Sequence, residues 1–134
     1  MDKNNFSKIT KFTDLIAWQE AHKLVLMIYQ LTKEFPKEEK YCLVDQLRRA
    51  VISITSCIAE GFTRRFPKEK IYFYKTAQGS LTEIQNQLLI SKDVGYLNKE
   101  TFSKVANQTV TVHKLLNGLI KSTKIKEYEK SKKF

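Results

Sequence analysis

Few residues in this chain could do chemistry. There are two histidines, His22 and His113, and two cysteines, Cys42 and Cys57. A carboxylate-bridged metal site in a helical protein needs Glu-x-x-His elements on facing helices. Neither histidine has a Glu three residues before it, and Glu20 stands too close to His22 for that geometry. The cysteines form no Cys-x-x-Cys pattern, which argues against zinc. No glycine-rich loop that could cradle a phosphate is present, nor a strained nucleophile turn. Glu60, beside Ala59 and Gly61, lacks an accompanying acid or nucleophile; its candidate ion-pair partners are Arg64, four residues on along a helix, and Arg48, Arg49 or a lysine of a neighbouring helix. The sequence therefore predicts no enzyme, no metal and no cofactor.

Charge is the stronger signal. The 134 residues carry 24 Lys and Arg against 14 Asp and Glu, a formal net charge of +10, which favours polyanionic partners. The excess is clustered. One group is Arg64, Arg65, Lys68, Lys70 and Lys75, interleaved with Phe66, Tyr72, Phe73 and Tyr74. Aromatic rings among cations can stack on unpaired bases while the cations hold phosphates. The other group is Lys121, Lys124, Lys126, Lys130, Lys132 and Lys133, against Glu127 and Glu129. These residues, down to Lys126, are the candidate contacts to RNA or another nucleic acid. No apolar run approaches a membrane span, and the polar N-terminus lacks the apolar stretch of a secretory signal.

The elements that must position these residues are helices. Only four Gly and two Pro occur, and no stretch alternates as a strand does. A first helix is expected from Thr13 or Asp14 as N-cap, with Phe12 stapling its first turns, Ala17, Ala21, Leu24, Ile28 and Leu31 on its inner stripe, and Pro36 beyond its end. A second is expected from Lys37–Glu39 to about Gly61, burying Leu43, Leu47, Ala50, Ile54 and Ile58. Pro67 opens a third, with Phe73, Ala77, Ser80, Ile84, Leu88 and Ser91 inside, broadened by Leu81 and Leu89, and Gly95 at its close. Within it Gly79 and Ser80 predict a close backbone approach, with Ala50, Ser53 and Ser56 as candidate partners. Asn98 caps a fourth, whose seam is Phe102, Val105, Thr109, Val112, Leu116 and Leu119.

Short connections make successive helices antiparallel. The fold class is all-α, an up-down-up-down four-helix bundle over residues 12–121. Residues 1–11 form a flexible N-terminal segment, and 122–134 a basic tail expected to fray or be disordered. Cys42 and Cys57, fifteen residues apart on one helix, are beyond disulfide reach and read as buried thiols of a reducing cytoplasm. Trp18, Tyr29, Tyr41 and Phe62 exceed what one small core would hold, which points to a homo-oligomer.

Ordered motifs add a family resemblance. The chain carries Phe12-x-Asp14-Leu15-x-Ala17-Trp18-Gln19, Phe35-Pro36-x-Glu38-Glu39-x-Tyr41-x-Leu43 and Gln46-Leu47-Arg48-Arg49-Ala50. Ser53-Ile54, Ile58-Ala59-Glu60-Gly61, Gly79-Ser80-Leu81-x-Glu83 and Gly95-Tyr96-Leu97 follow. In order and spacing this resembles the four-helix-bundle proteins encoded in intervening sequences of bacterial large-subunit rRNA genes. The resemblance implies an antiparallel bundle assembled as a homopentameric ring. It also implies structural roles for Trp18, Arg48, Arg49, Glu60, Gly61, Gly79 and Ser80. A distant relative by the same likeness is the accessory variability determinant of diversity-generating retroelements, a basic pentamer that binds nucleic acid and a reverse transcriptase. Two functional expectations follow: an oligomer that binds RNA through basic surface, or a scaffold that docks a partner protein such as a reverse transcriptase. The resemblance carries no established activity.

Overall fold

The computed structural model describes residues 8–132. A 3-10 turn, Phe12–Asp14, precedes helix α1 (Ile16–Thr32); a second, Lys37–Glu39, precedes α2 (Leu43–Thr63); α3 (Pro67–Asp93) and α4 (Lys99–Lys132) follow. No strand occurs among the described residues. Each helix packs on two others in the cyclic order α1, α2, α3, α4, with no diagonal pair, so the four surround a single core. Leu24, Ile28, Leu47, Val51, Ile54, Ile58, Leu81, Ile84, Val105, Val112 and Leu116 fill it, each at most 1% exposed.

Cross-helix hydrogen bonds show the sense of the helices. Between α2 and α3, Ser53 Oγ meets Ser80 Oγ at 2.9 Å, and Gln87 Nε2 donates to Gln46 Oε1 at 3.3 Å. Between α3 and α4, Gln78 pairs with Asn117, and Gln85 donates to Thr109 Oγ1 at 3.1 Å. Position rises on one helix as it falls on the other, so both pairs are antiparallel. The last turn of α2, the first turns of α3 and the last turns of α4 therefore share one end of the bundle.

Local starts differ from the expectation. Asp14 does not cap α1, whose N-cap is Leu15 with no side-chain bond. Asp14 Oδ2 instead accepts the Thr10 and Lys11 main-chain N–H groups, both at 3.0 Å, and these hold its pKa below the ordinary carboxylate value. Phe12 packs edge-on against Trp18, ring centres 5.5 Å apart. Lys37–Glu39 forms a 3-10 turn rather than the start of α2, which begins at Leu43 after a break at Cys42. Cys42 is thus exposed rather than buried, and Cys57 is half-buried. The Asn98 cap holds: Thr101 N donates to Asn98 Oδ1 at 2.7 Å. Gly95 closes α3 with φ +89°, a conformation that suits glycine.

On α3 the inner stripe runs through Tyr74, not Phe73, and Leu89 lies outside it. Phe73 is half-buried beneath the Arg64 guanidinium, 4.7 Å from its ring centre. Of the small pair, Ser80 is buried against Ser53, but Gly79 is exposed and a Cβ there would meet nothing within 4 Å. The close approach is at Gly61 instead, where a Cβ would lie 2.7 Å from Tyr74 Cε1 and 3.0 Å from Phe73 Cβ. Ser80→Ala removes one partner of the α2–α3 hydroxyl pair and is expected to cost about 1 kcal/mol in urea unfolding.

The expected tail is helical. α4 runs unbroken to Lys132 and Thr123 is buried. Where α3 starts, Pro67 and Lys70 line the same cleft as Thr123 and Lys126. From Lys124 to Lys130 the side chains are exposed, apart from half-buried Glu127. Residues 1–7 of the expected N-terminal segment, and residues 133–134 at the other terminus, lie outside the described residues.

Candidate nucleic-acid interface

The three-residue turn between α2 and α3 carries Arg64 and Arg65. Arg64 Nη2 donates to Glu60 Oε2 at 2.7 Å, which settles the partner of Glu60. Both side chains are largely exposed, so the pair fixes geometry more than it stabilises. The Arg65 guanidinium lies 5.9 Å from the Phe66 ring centre.

On α3 the basic residues divide between two faces. Lys68, Tyr72 and Lys75 fall at spacings of four and three on the solvent face, with Tyr72 66% exposed between the two lysines. Lys70 turns inward. Its Nζ donates to the main-chain carbonyls of Phe62 (2.6 Å) and Gly61 (3.4 Å), in the last turn of α2. A cation there complements the negative end of the helix dipole. Burial pushes the Lys70 pKa below its ordinary value, and the charge of Lys126 across the cleft pushes it the same way. Lys121 and Lys124 are exposed on α4.

The fold thus brings together two clusters that are some fifty residues apart in the sequence. A third contribution escaped sequence reading. Lys8, Lys11 and Lys114 line a cleft of about 840 Å³ between the N-terminal segment and α4. The antiparallel order was the available signal, since it places the start of the chain beside the end of α4. Over residues 8–14, 60–75 and 118–130 there are eleven Lys and Arg against five Asp and Glu; over residues 33–49 and 92–104, at the opposite end, there are eight against six.

Of the remaining motif residues, Arg48 and Arg49 lie toward the opposite end and Trp18 at the start of α1. Arg48 Nε donates to Thr32 Oγ1 at 3.0 Å, and its guanidinium sits 4.6 Å from the Tyr29 ring centre, tying α2 to α1. Arg49 pairs with Asp45 at 3.1 Å on the surface. Trp18 is half-buried and stacks on His22, ring centres 4.8 Å apart. Tyr29 and Phe62 are half-buried as well, whereas Tyr41 is 82% exposed. Among the described residues no group of three His, Cys, Asp or Glu side chains could hold a metal ion, and no helix is long and apolar enough to cross a membrane.

Residues 13–118 match the sequence model of the 23S rRNA-intervening sequence protein family. The chain belongs to this family. Among solved structures it is similar to a protein of unknown function from the S23 ribosomal protein family of Bacteroides thetaiotaomicron. The two share 21% identity and a TM-score of 0.74, over 79% of this chain and 96% of that one. At that identity the likeness establishes the fold. No curated protein matches the sequence. The family match ends at residue 118, so Lys121, Lys124 and Lys126 lie beyond it, while the α2–α3 cluster lies within. Within the intervening-sequence family's span, Gly61, Ser80, Arg48 and Glu60 each make the contacts described above, and these are contacts of packing and pairing.

Proposed function

We propose that this intervening-sequence family member is a non-enzymatic, cytoplasmic RNA-binding protein that works as a homo-oligomer, a pentameric ring of bundles. It holds phosphates with the basic end of the bundle rather than reading base edges. One observation carries the reading: the topology gathers the α2–α3 cluster, the α4 lysines and the N-terminal lysines at one end, while the opposite end is nearly balanced in charge. Phosphate contacts dominate affinity in such a surface and make it salt-dependent.

Unsatisfied apolar surface supports assembly. Leu26 on α1 is exposed beside an open cleft of about 640 Å³ between α1 and α4, lined also by Met27, Leu31, Leu97 and Val105. Leu89, Ile90 and Val94 are exposed near the end of α3. Apolar surface of this kind on a small domain marks interaction sites.

The test is a titration of labelled structured RNA at several salt concentrations, with native mass spectrometry of the same samples. Binding that weakens steeply with salt, by a species of five subunits, is the expected result. No binding in dilute buffer by a species that stays monomeric would defeat the reading.

A further inference from the structure

We propose that the cleft between the α2–α3 turn and the last turns of α4 seats one unpaired nucleotide, its ring against Phe62 and Pro67 and within reach of the Tyr74 hydroxyl, its phosphate between Lys70 and Lys126. The inference rests on the nucleic-acid reading above and adds to it a preference for unpaired strands.

The cleft measures about 280 Å³, room for one ring system rather than a larger ligand. Its lining has two chemistries. Phe62, Pro67 and Leu119 offer apolar and aromatic surface for a base, with the Lys70 ammonium 5.4 Å from the Phe62 ring centre, while the buried Tyr74 contributes only its edge. Lys70 and Lys126 supply two ammonium groups, and neither forms an ion pair among the described residues. Two of the three Lys70 N–H groups are spent on the Gly61 and Phe62 carbonyls, which leaves one for a ligand and fixes its direction. Two cations facing one cleft repel each other, and a bound anion relieves that repulsion.

Tyr74 supplies the independent observation. It is 2% exposed, lines the cleft, and its hydroxyl has no hydrogen-bond partner among the described residues. The fully buried side-chain polar atom left without a partner among the described residues is Gln87 Oε1, so the Tyr74 hydroxyl keeps some exposure and is open to a ligand. Burial pushes its pKa up to about 12, so near neutral pH the hydroxyl keeps its proton and can donate to a base carbonyl or ring nitrogen. A base inside a duplex is paired and stacked and cannot enter such a seat. An unpaired one can.

The same chemistry fits a free nucleoside monophosphate and a nucleotide within a strand. The test therefore titrates the full chain with a labelled single-stranded oligoribonucleotide and with a duplex of equal length, and uses adenosine monophosphate as competitor. Tyr74→Phe removes only the hydroxyl; Lys126→Gln removes an exposed charge. We expect the single strand to bind about fivefold or more tightly than the duplex, and Tyr74→Phe to abolish that margin while duplex binding stays unchanged. Lys126→Gln is expected to lower the slope of log affinity against log salt by about 1. Displacement by the monophosphate shows that the seat takes free nucleotide as well; persistence of the strand shows that it needs the polymer.

As a readout independent of the variants' folding, the bound single strand should shield Lys70 and Lys126 from reductive methylation. Equal affinity for strand and duplex, with both lysines modified at their free rates in the complex, overturns the proposal and leaves the nucleic-acid reading standing. Failure of strand and duplex alike to bind overturns both.

Discussion

Gly61→Val is expected to destabilise the bundle by about 3 kcal/mol, while Gly79→Ala is expected to stabilise it by up to about 1 kcal/mol. Both glycines lie inside helices, where propensity alone favours almost any replacement. Their surroundings decide the sign. A Cβ at Gly61 would sit 2.7 Å from the Tyr74 ring and 3.0 Å from Phe73 Cβ, an atom fixed to the α3 backbone. Tyr74 is buried and cannot swing away, so the two helices would have to part, and the strain of overpacking outweighs the gain in propensity. At Gly79 the same atom enters open space. Urea unfolding of the two variants checks this directly. A Gly61→Val protein as stable as the parent would show that α2 and α3 do not approach as closely as described.

The second large effect concerns charge placement. Reversing Arg65, Lys68 and Lys124 to Glu together is expected to weaken RNA binding roughly 100-fold in dilute salt and to lower the salt slope by about 2. All three are exposed, and none forms an ion pair among the described residues. The control is reversal of Lys33, Lys37 and Lys99, exposed residues of the opposite end. It changes net charge by the same amount. If the basic end is the binding surface, this control loses far less affinity, and its slope stays close to that of the parent. Equal losses in the two triple variants would mean that overall charge, not its placement, governs binding.

Much of the fold was legible because the four helices bury stripes at regular spacing. Ala17, Ala21, Leu24, Ile28 and Leu31 are buried as the periodicity predicts, as are Leu47, Ala50, Ile54 and Ile58. Where the expectation failed, a neighbouring helix decided. Phe73 and Tyr74 are adjacent aromatics, and the one buried is Tyr74, whose ring packs where Gly61 carries no side chain. Gly79 and Gly61 look alike in sequence, since glycine reports permission for contact and not its presence. The site was legible as two clusters of charge. Their meeting, and the inward turn of Lys70 against the outward turn of Lys68, required the register between helices, which no local pattern contains.

If the cleft seats a nucleotide as proposed, the contact between Gly61 and Tyr74 links durability to recognition. One aromatic ring closes the seam between two helices and also floors the cleft with an unused hydroxyl. A larger residue at position 61 would push the two helices apart and reshape the recess in the same stroke, so a change in one property constrains the other. Selection acting on ligand preference here has more latitude at the rim, in Lys126 and the aromatics of the turn, than at the floor.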